Sequence, residues 1–243
     1  MHFTNEHHLD DGVVEREFRL GDIPGFLWTP GASSEPAPLI LMAHNNGLPK
    51  GESRLVARAR QSAAYGYAVA TIDAPGCGDR PRSAATEEAR TDLYRAVEAG
   101  QPVDDEIVDR LVLPLVEKAV PERRAALDAL LSLPGIGGPV GYAGGVIAIG
   151  IRLAVVEPRI SAALLFAGSF VPRTMFEEAR QVTIPLQVLL QWDDEGNDRQ
   201  LALDLFDAFG SEEKSLHAHL GGHTGVPASA GEGVAGFFAR HLR

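Results

Sequence analysis

The feature that most constrains this chain is a succession of short apolar runs, each of strand length and set between stretches of helical period. The runs are Leu39–Ala43 (LILMA), Tyr67–Ile72 (YAVATI), Pro139–Tyr142, Ile160–Ala167, Ile184–Leu190 (IPLQVLL) and Ser215–Leu220. Continuous apolarity, rather than strict alternation, suits strands covered on both faces of a parallel sheet. Helical spacing is read over Ser53–Tyr65, where Leu55, Val56, Ala59 and Ala63 share a face. It is read again over Pro121–Leu133, with the proline at the helix start, and over Val146–Val156, Arg173–Arg180, Arg199–Phe209 and Gly231–Leu242. A hairpin, EREFRL then IPGFLWTP around Gly21-Asp22, precedes them. The alternation predicts an α/β protein: a mostly parallel central sheet of about eight strands with helices on both faces.

One stretch breaks the alternation. Between 83 and 119, Ala84–Ala99 and Asp104–Val120 read as two helices. In the second, Ile107, Leu111 and Leu115 recur every four residues as an apolar stripe. The segment is read either as extra packing or as a helical lid inserted in a single domain spanning 1–243. Composition excludes several other roles. With 22 Lys plus Arg against 33 Asp plus Glu the formal charge is −11, opposite to a nucleic-acid footprint. The single cysteine, Cys77, allows no intramolecular disulfide. No apolar run approaches the ~20 residues of a membrane helix, and the polar N-terminus lacks a signal-peptide pattern. A cytoplasmic protein with no membrane partner is expected. His2, His7 and His8 lack the spacing of a metal site, so neither metal nor cofactor is expected.

Ligands of parallel sheets gather at the carboxyl ends of the strands, so the loops there carry the chemistry. The sharpest is Gly141-Tyr142-Ala143-Gly144-Gly145, between a short strand and a helix. It has the layout of a G-x-S-x-G nucleophile elbow, in which a tight turn projects a side chain over the sheet. Ala143 stands where the serine would be; a turn shifted to Gly144 or Val146 supplies no reactive group either. Asp194 follows the strand IPLQVLL, and His223 lies in a glycine-flanked loop after the last strand. Nucleophile, acid, histidine is the chain order of α/β-hydrolases. Histidine titrates near neutrality and suits a general base, while a carboxylate fixes its tautomer. Asp193 and Glu195 compete with Asp194, and His217 and His219 with His223.

The phrases LILMAHNNG, ATIDAPGCGDR, PVGYAGG, VEPRISAALLFAG, LLQWDDE and HLGGHTGVP stand in order at sheet-compatible spacing. On them the chain resembles the α/β-hydrolase superfamily, and more narrowly its small esterase or dienelactone-hydrolase-like group. The resemblance implies hydrolysis of a carboxylic ester, lactone or related acyl bond through an acyl-enzyme. It implies an oxyanion hole from backbone amides of Asn46 (or Asn45) and Gly144, with His44 and Tyr142 as substrate-binding candidates; Arg80 and Arg82, which follow the second strand, are read either as solvated surface residues or as facing the pocket to bind a substrate carboxylate. The expected partner is a small-molecule ester or lactone, and a homodimer is compatible with this reading. Alanine departs from the pattern, since it cannot form an acyl-serine. An inactivated serine hydrolase is the leading reading, because Asp194, His223 and the oxyanion loop remain. A non-catalytic, ligand-binding homologue is the alternative.

Overall fold

The computed structural model describes residues 1–31, 35–43, 53–78, 80–168, 170–223, 226–227 and 230–243. Its strands are β1 (His2–His8), β2 (Val14–Leu20), β3 (Ile23–Thr29), β4 (Ala37–Ala43), β5 (Ala68–Ile72), β6 (Ile136–Gly144), β7 (Ile160–Phe166), β8 (Leu186–Gln191) and β9 (Lys214–His219). Its helices are α1 (Ser53–Ala64), α2 (Ala84–Glu98), α3 (Asp105–Leu131), α4 (Ile147–Val156), α5 (Thr174–Ala179), α6 (Arg199–Ala208) and α7 (Ala230–His241). The strands form one sheet in the order β1-β2-β3-β5-β4-β6-β7-β8-β9. The β1–β2, β2–β3 and β3–β5 pairs are antiparallel, and the remaining five pairs are parallel. The sheet is therefore mostly parallel, and β6 lies inside it between β4 and β7.

The period of two along a strand divides the core between the two faces of the sheet. In β4, Leu39, Leu41 and Ala43 enter one cluster with residues of α3, α4, α5 and α6, while Ile40 and Met42 enter the other with α1 and α7. Leu55, Ala59 and Ala63 of α1 are buried as their spacing predicts, and Val56 is half-buried. The hairpin reading holds as β2 and β3. The strand before it, β1, is exposed at every residue and carries no apolar pattern that could announce it. Glu6 on that edge pairs with Arg16 of β2 at 2.6 Å, and charge on an edge discourages pairing with another sheet.

The helical reading needs correction at Pro121. The sequence suggests one helix ending at Val120 and another starting with the proline. The structure has one 27-residue helix, α3, running through both Pro114 and Pro121. A proline inside a helix costs about 3 kcal/mol. Burial on the same helix offsets it: Val108, Val112, Val116, Ala119, Val120, Leu127 and Leu130 are all buried, and a fully buried Val or Leu contributes roughly 1.5–3 kcal/mol. The fully buried stripe is Val108, Val112 and Val116, one residue away from the expected stripe of Ile107, Leu111 and Leu115, which is half-buried. The segment read as an insertion is thus continuous with a helix of the core.

A polar clamp ties α3 to the turn between α4 and β7. The Glu157 side chain is 1% exposed and accepts from Arg159 Nε at 2.7 Å and Arg124 Nε at 3.2 Å. Arg159 also donates to Asp128 of α3 at 2.6 Å. Hydrogen bonds from Arg159, before all else, hold the Glu157 carboxyl at about 2 rather than 4.5. A carboxyl depressed in the folded state stabilises above its unfolded value, and that contribution is lost as pH falls through the folded value. At neutral pH it amounts to at most about 3 kcal/mol. Glu157→Gln is expected to destabilise the protein at neutral pH and to flatten the loss of stability between pH 4.5 and about 2. Urea unfolding of both chains across that range measures it; parallel pH profiles would remove the clamp's role.

Candidate active site

β8 and β9 are adjacent and parallel, so the residues just past their ends emerge at the same edge of the sheet. Asp194 follows β8 and His223 follows β9. His223 Nδ1–H donates to Asp194 Oδ2 at 2.7 Å, and the other carboxylate oxygen, Oδ1, accepts the Gly196 N–H at 3.1 Å. The Asp194 side chain is 6% exposed while that of His223 is 79% exposed. The acid is thus sheltered, and the imidazole stands at the cavity mouth with Nε2 as its remaining proton-transfer atom. His217, the other candidate histidine with a described partner, bonds Gln187 within the sheet.

The neighbouring carboxylate has a different task. Asp193 Oδ1 accepts the N–H groups of Gly221 and Gly222 at 2.7 and 2.9 Å. These bonds hold the Asp193 carboxyl below its ordinary value. The loop carrying His223 is therefore tied to the loop carrying its acid. Arg199 steadies the same turn: it donates to the Trp192 carbonyl at 3.1 Å and lies 4.3 Å from the centre of the Trp192 ring. Sequence reading favours Asp194 as the histidine partner, with Asp193 and Glu195 as competitors, but gives no sign that Asp193 clamps the histidine loop.

At the centre of the sheet, Ala143 lies within β6, in register with Met42 of β4 and Leu164 of β7. The chain turns after it. Gly144 and Gly145 adopt φ of +83° and +76°, and Val146, at φ −70°, caps α4. Two successive left-handed residues suit glycine, which has no Cβ to clash. A Cβ on Gly144 would come within 2.8 Å of the Ala43 carbonyl, and one on Gly145 within 2.6 Å of the Ala43 methyl. The strand-to-helix turn is thus made by two residues that cannot carry a nucleophile.

Ala143, Gly144, Asp194 and His223 border one cavity of about 1310 Å³. Leu111 and Leu115 of α3 wall it, as do Ile147, Leu164, Leu189 and Phe238. Two candidate substrate contacts do not reach it. Tyr142 is fully buried and, one residue from Ala143 along the strand, points to the opposite face of the sheet. Arg80 is held by Glu122 at 2.6 and 2.8 Å and by the Asp73 carbonyl at 2.7 Å, a half-buried cross-link between the loop after β5 and α3. His44, Asn45 and Asn46 lie outside the described residues. Of the basic side chains that border the cavity, sequence reading named Arg82 and overlooked Arg58, Arg90 and Lys118. Helical spacing offered a signal, since Thr86 and Arg90 of α2 lie four residues apart on one face. Among the described residues no group of three His, Cys, Asp or Glu is arranged to hold a metal ion. No described helix is long and apolar enough to cross a membrane.

Removing the Asp193 acceptor frees two backbone amides without touching the His223–Asp194 pair. Asp193→Ala is expected to raise amide hydrogen exchange at Gly221 and Gly222 at least several-fold. The sheet amides should keep their protection. Unchanged exchange at these glycines would show that the loop needs no clamp.

No family model matches the chain, and no curated protein matches it. Solved structures do. A cold-adapted esterase from an Arctic intertidal metagenomic library, solved with bound PEG, is 26% identical over 100% of both chains, with a TM-score of 0.76. The acetyl xylan esterase of Paenibacillus sp. R4 is 16% identical, covers 99% of this chain and 88% of its own, and has a TM-score of 0.69. The dienelactone hydrolase of Anabaena variabilis is 18% identical, covers 98% and 99%, and has a TM-score of 0.61. By its sheet order, the placement of its acid and histidine, and these likenesses, the chain has the α/β-hydrolase fold.

Proposed function

We propose that this protein binds a carboxylic ester, lactone or related acyl compound in the cavity beside His223 and does not pass it through an acyl-enzyme. The observation that carries the reading is the His223–Asp194 hydrogen bond of 2.7 Å, at the mouth of a cavity floored by Ala143 and the Gly144–Gly145 turn. A histidine oriented by a carboxylate can polarise or hydrogen-bond an acyl ligand. Covalent hydrolysis needs an activated nucleophile within reach of that base, and residues 141–147 contain no Ser, Thr, Cys or Asp. The esterase and dienelactone hydrolase among its structural neighbours support an acyl compound as the ligand class.

One observation favours a binding homologue over a serine enzyme silenced by a single replacement at Ala143. Such a replacement would leave its alanine at the apex of the turn. Here Ala143 is paired within β6, and the positive φ values fall on Gly144 and Gly145. The triad supplies several powers of ten in rate, so restoring a serine at the right place is easy to detect. The unmodified chain is expected to bind short-chain p-nitrophenyl esters and lactones in calorimetry without releasing product. Ala143→Ser and Val146→Ser, made separately, are expected to stay within tenfold of that background. Turnover in the unmodified chain that vanishes with His223→Ala would sink the proposal. A gain of several powers of ten in Ala143→Ser would instead establish the silenced-enzyme reading.

A further inference from the structure

The cavity has a charge opposite to that of the chain around it. The protein carries a formal charge of −11. Yet among the described residues bordering the cavity, the basic side chains are Arg54, Arg58, Arg82, Arg90 and Lys118, and the single carboxylate is Asp194, already bonded to His223. Three of the five come from α2, α3 and the residues leading into them. Arg82 precedes α2, Arg90 lies on α2 and Lys118 lies on α3.

These three gather at one end of the helix pair. Arg82 and Arg90 both approach the same oxygen of Glu87, at 3.7 and 3.9 Å, so they are close to each other. Both distances exceed hydrogen-bond length, and one carboxylate faces two guanidinium groups. Arg82 Nε spends its proton on the Gly76 carbonyl at 2.9 Å. Lys118 follows from the register of the helices. Arg110 of α3 bonds Asp92 of α2 at 2.7 Å. Eight residues further along α3 is a rise of about 12 Å, which in an antiparallel pair returns to the start of α2, beside Arg82 and Thr86. Lys118 makes no ion pair among the described residues. It also ends the stripe of Leu111 and Leu115, so one face of α3 presents the cavity with apolar side chains and then an ammonium group.

Resting on the acyl-binding reading above, we propose that the ligand also carries an anionic group, a carboxylate or a phosphate, held by Lys118, Arg90 and Arg82, with its apolar chain running along Leu111 and Leu115 toward His223. Cations of one sign in a low-dielectric cleft focus the field on an oppositely charged ligand. A cavity of about 1310 Å³ exceeds the roughly 300–1,000 Å³ of ordinary small-molecule sites, which fits an extended chain better than a compact ring.

Monomethyl sebacate and dimethyl sebacate test this, because both are esters of one chain length and differ by a single carboxylate. Decyl phosphate is the third probe. With the full-length protein in calorimetry, the monomethyl ester is expected to bind at least tenfold more tightly than the dimethyl ester, and the gap to shrink in high salt. Lys118→Gln and Arg90→Gln should each narrow the gap several-fold, by weakening the monomethyl ester far more than the dimethyl ester. Decyl phosphate outcompeting the monoester would identify the head as phosphate, and the reverse order as carboxylate; both support an anion site. Equal binding of the two sebacates overturns the inference and leaves acyl binding intact. A gap untouched by both substitutions also overturns it, since the anion would then sit elsewhere. If none of the three probes binds, the acyl-binding reading fails and takes this inference with it.

Discussion

The close approach of β6 to β4 governs the rest of the site. Where Ala43 and Gly144 face each other in register, the backbone of the central strand has no room for a side chain. Gly144 and Gly145 therefore turn left-handed, the strand ends, and α4 starts at Ile147. That abrupt turn leaves Met42, Ala43, Ala143, Leu164 and Phe166, at the ends of β4, β6 and β7, bordering the cavity. On the other side of the cavity, β8 and β9 bring Asp194 and His223 over the same floor. A larger residue at Gly144 would push β4 and β6 apart and move the floor relative to the histidine. Gly141 serves a different approach, that of α7 to the sheet, since a Cβ there would meet Phe238 of α7 at 2.6 Å.

Much of this was legible in the sequence, for definite reasons. Strands buried on both faces read as runs such as LILMA because nothing polar can be tolerated in them. Asp194 and His223 were legible because chain order and sheet order coincide at β8 and β9. What was not legible depended on contacts. β1 has no buried face, so no periodicity marks it. The unbroken course of α3 through Pro121 depends on burial that outweighs the proline, and that burial comes from partners distant in sequence. The division of labour between Asp193 and Asp194 turns on which way each side chain leaves the backbone. The turn after Ala143 falls later than the glycine pattern implied, because two consecutive glycines accept left-handed angles that alanine resists.

The electrostatics sort by depth. Arginine and glutamate pairs such as Arg80–Glu122 and Arg152–Glu178 lie half-buried between elements, each guanidinium making two bonds to its carboxylate. Such bidentate pairs favour one arrangement of the helices more than they add net stability, since desolvation offsets much of the attraction. Removing one partner is a different matter, because a charge is then left without compensation, at roughly 3–5 kcal/mol when fully buried. Arg80–Glu122 therefore holds α3 against the loop after β5, and with it the position of the wall formed by Leu111 and Leu115. An arginine that the sequence offered as a substrate contact instead helps set where the cavity wall stands.

Because α3 is continuous, one helix serves both wall and core. Its first half borders the cavity with Leu111, Leu115 and Lys118; its second half is buried through Leu127 and Leu130 and clamped to Glu157 through Arg159 and Asp128. A lid on flexible hinges can open without cost to the fold. A helix that shifts at Leu115 meets buried neighbours at Val120 and Ala126, where packing is tight. A ligand that binds only the folded chain stabilises that chain by mass action. A compound present at a hundredfold excess over its Kd adds about 2.7 kcal/mol to the folded state by mass action. That gain belongs to the folded chain as a whole, because α3 carries the cavity wall in its first half and core residues in its second.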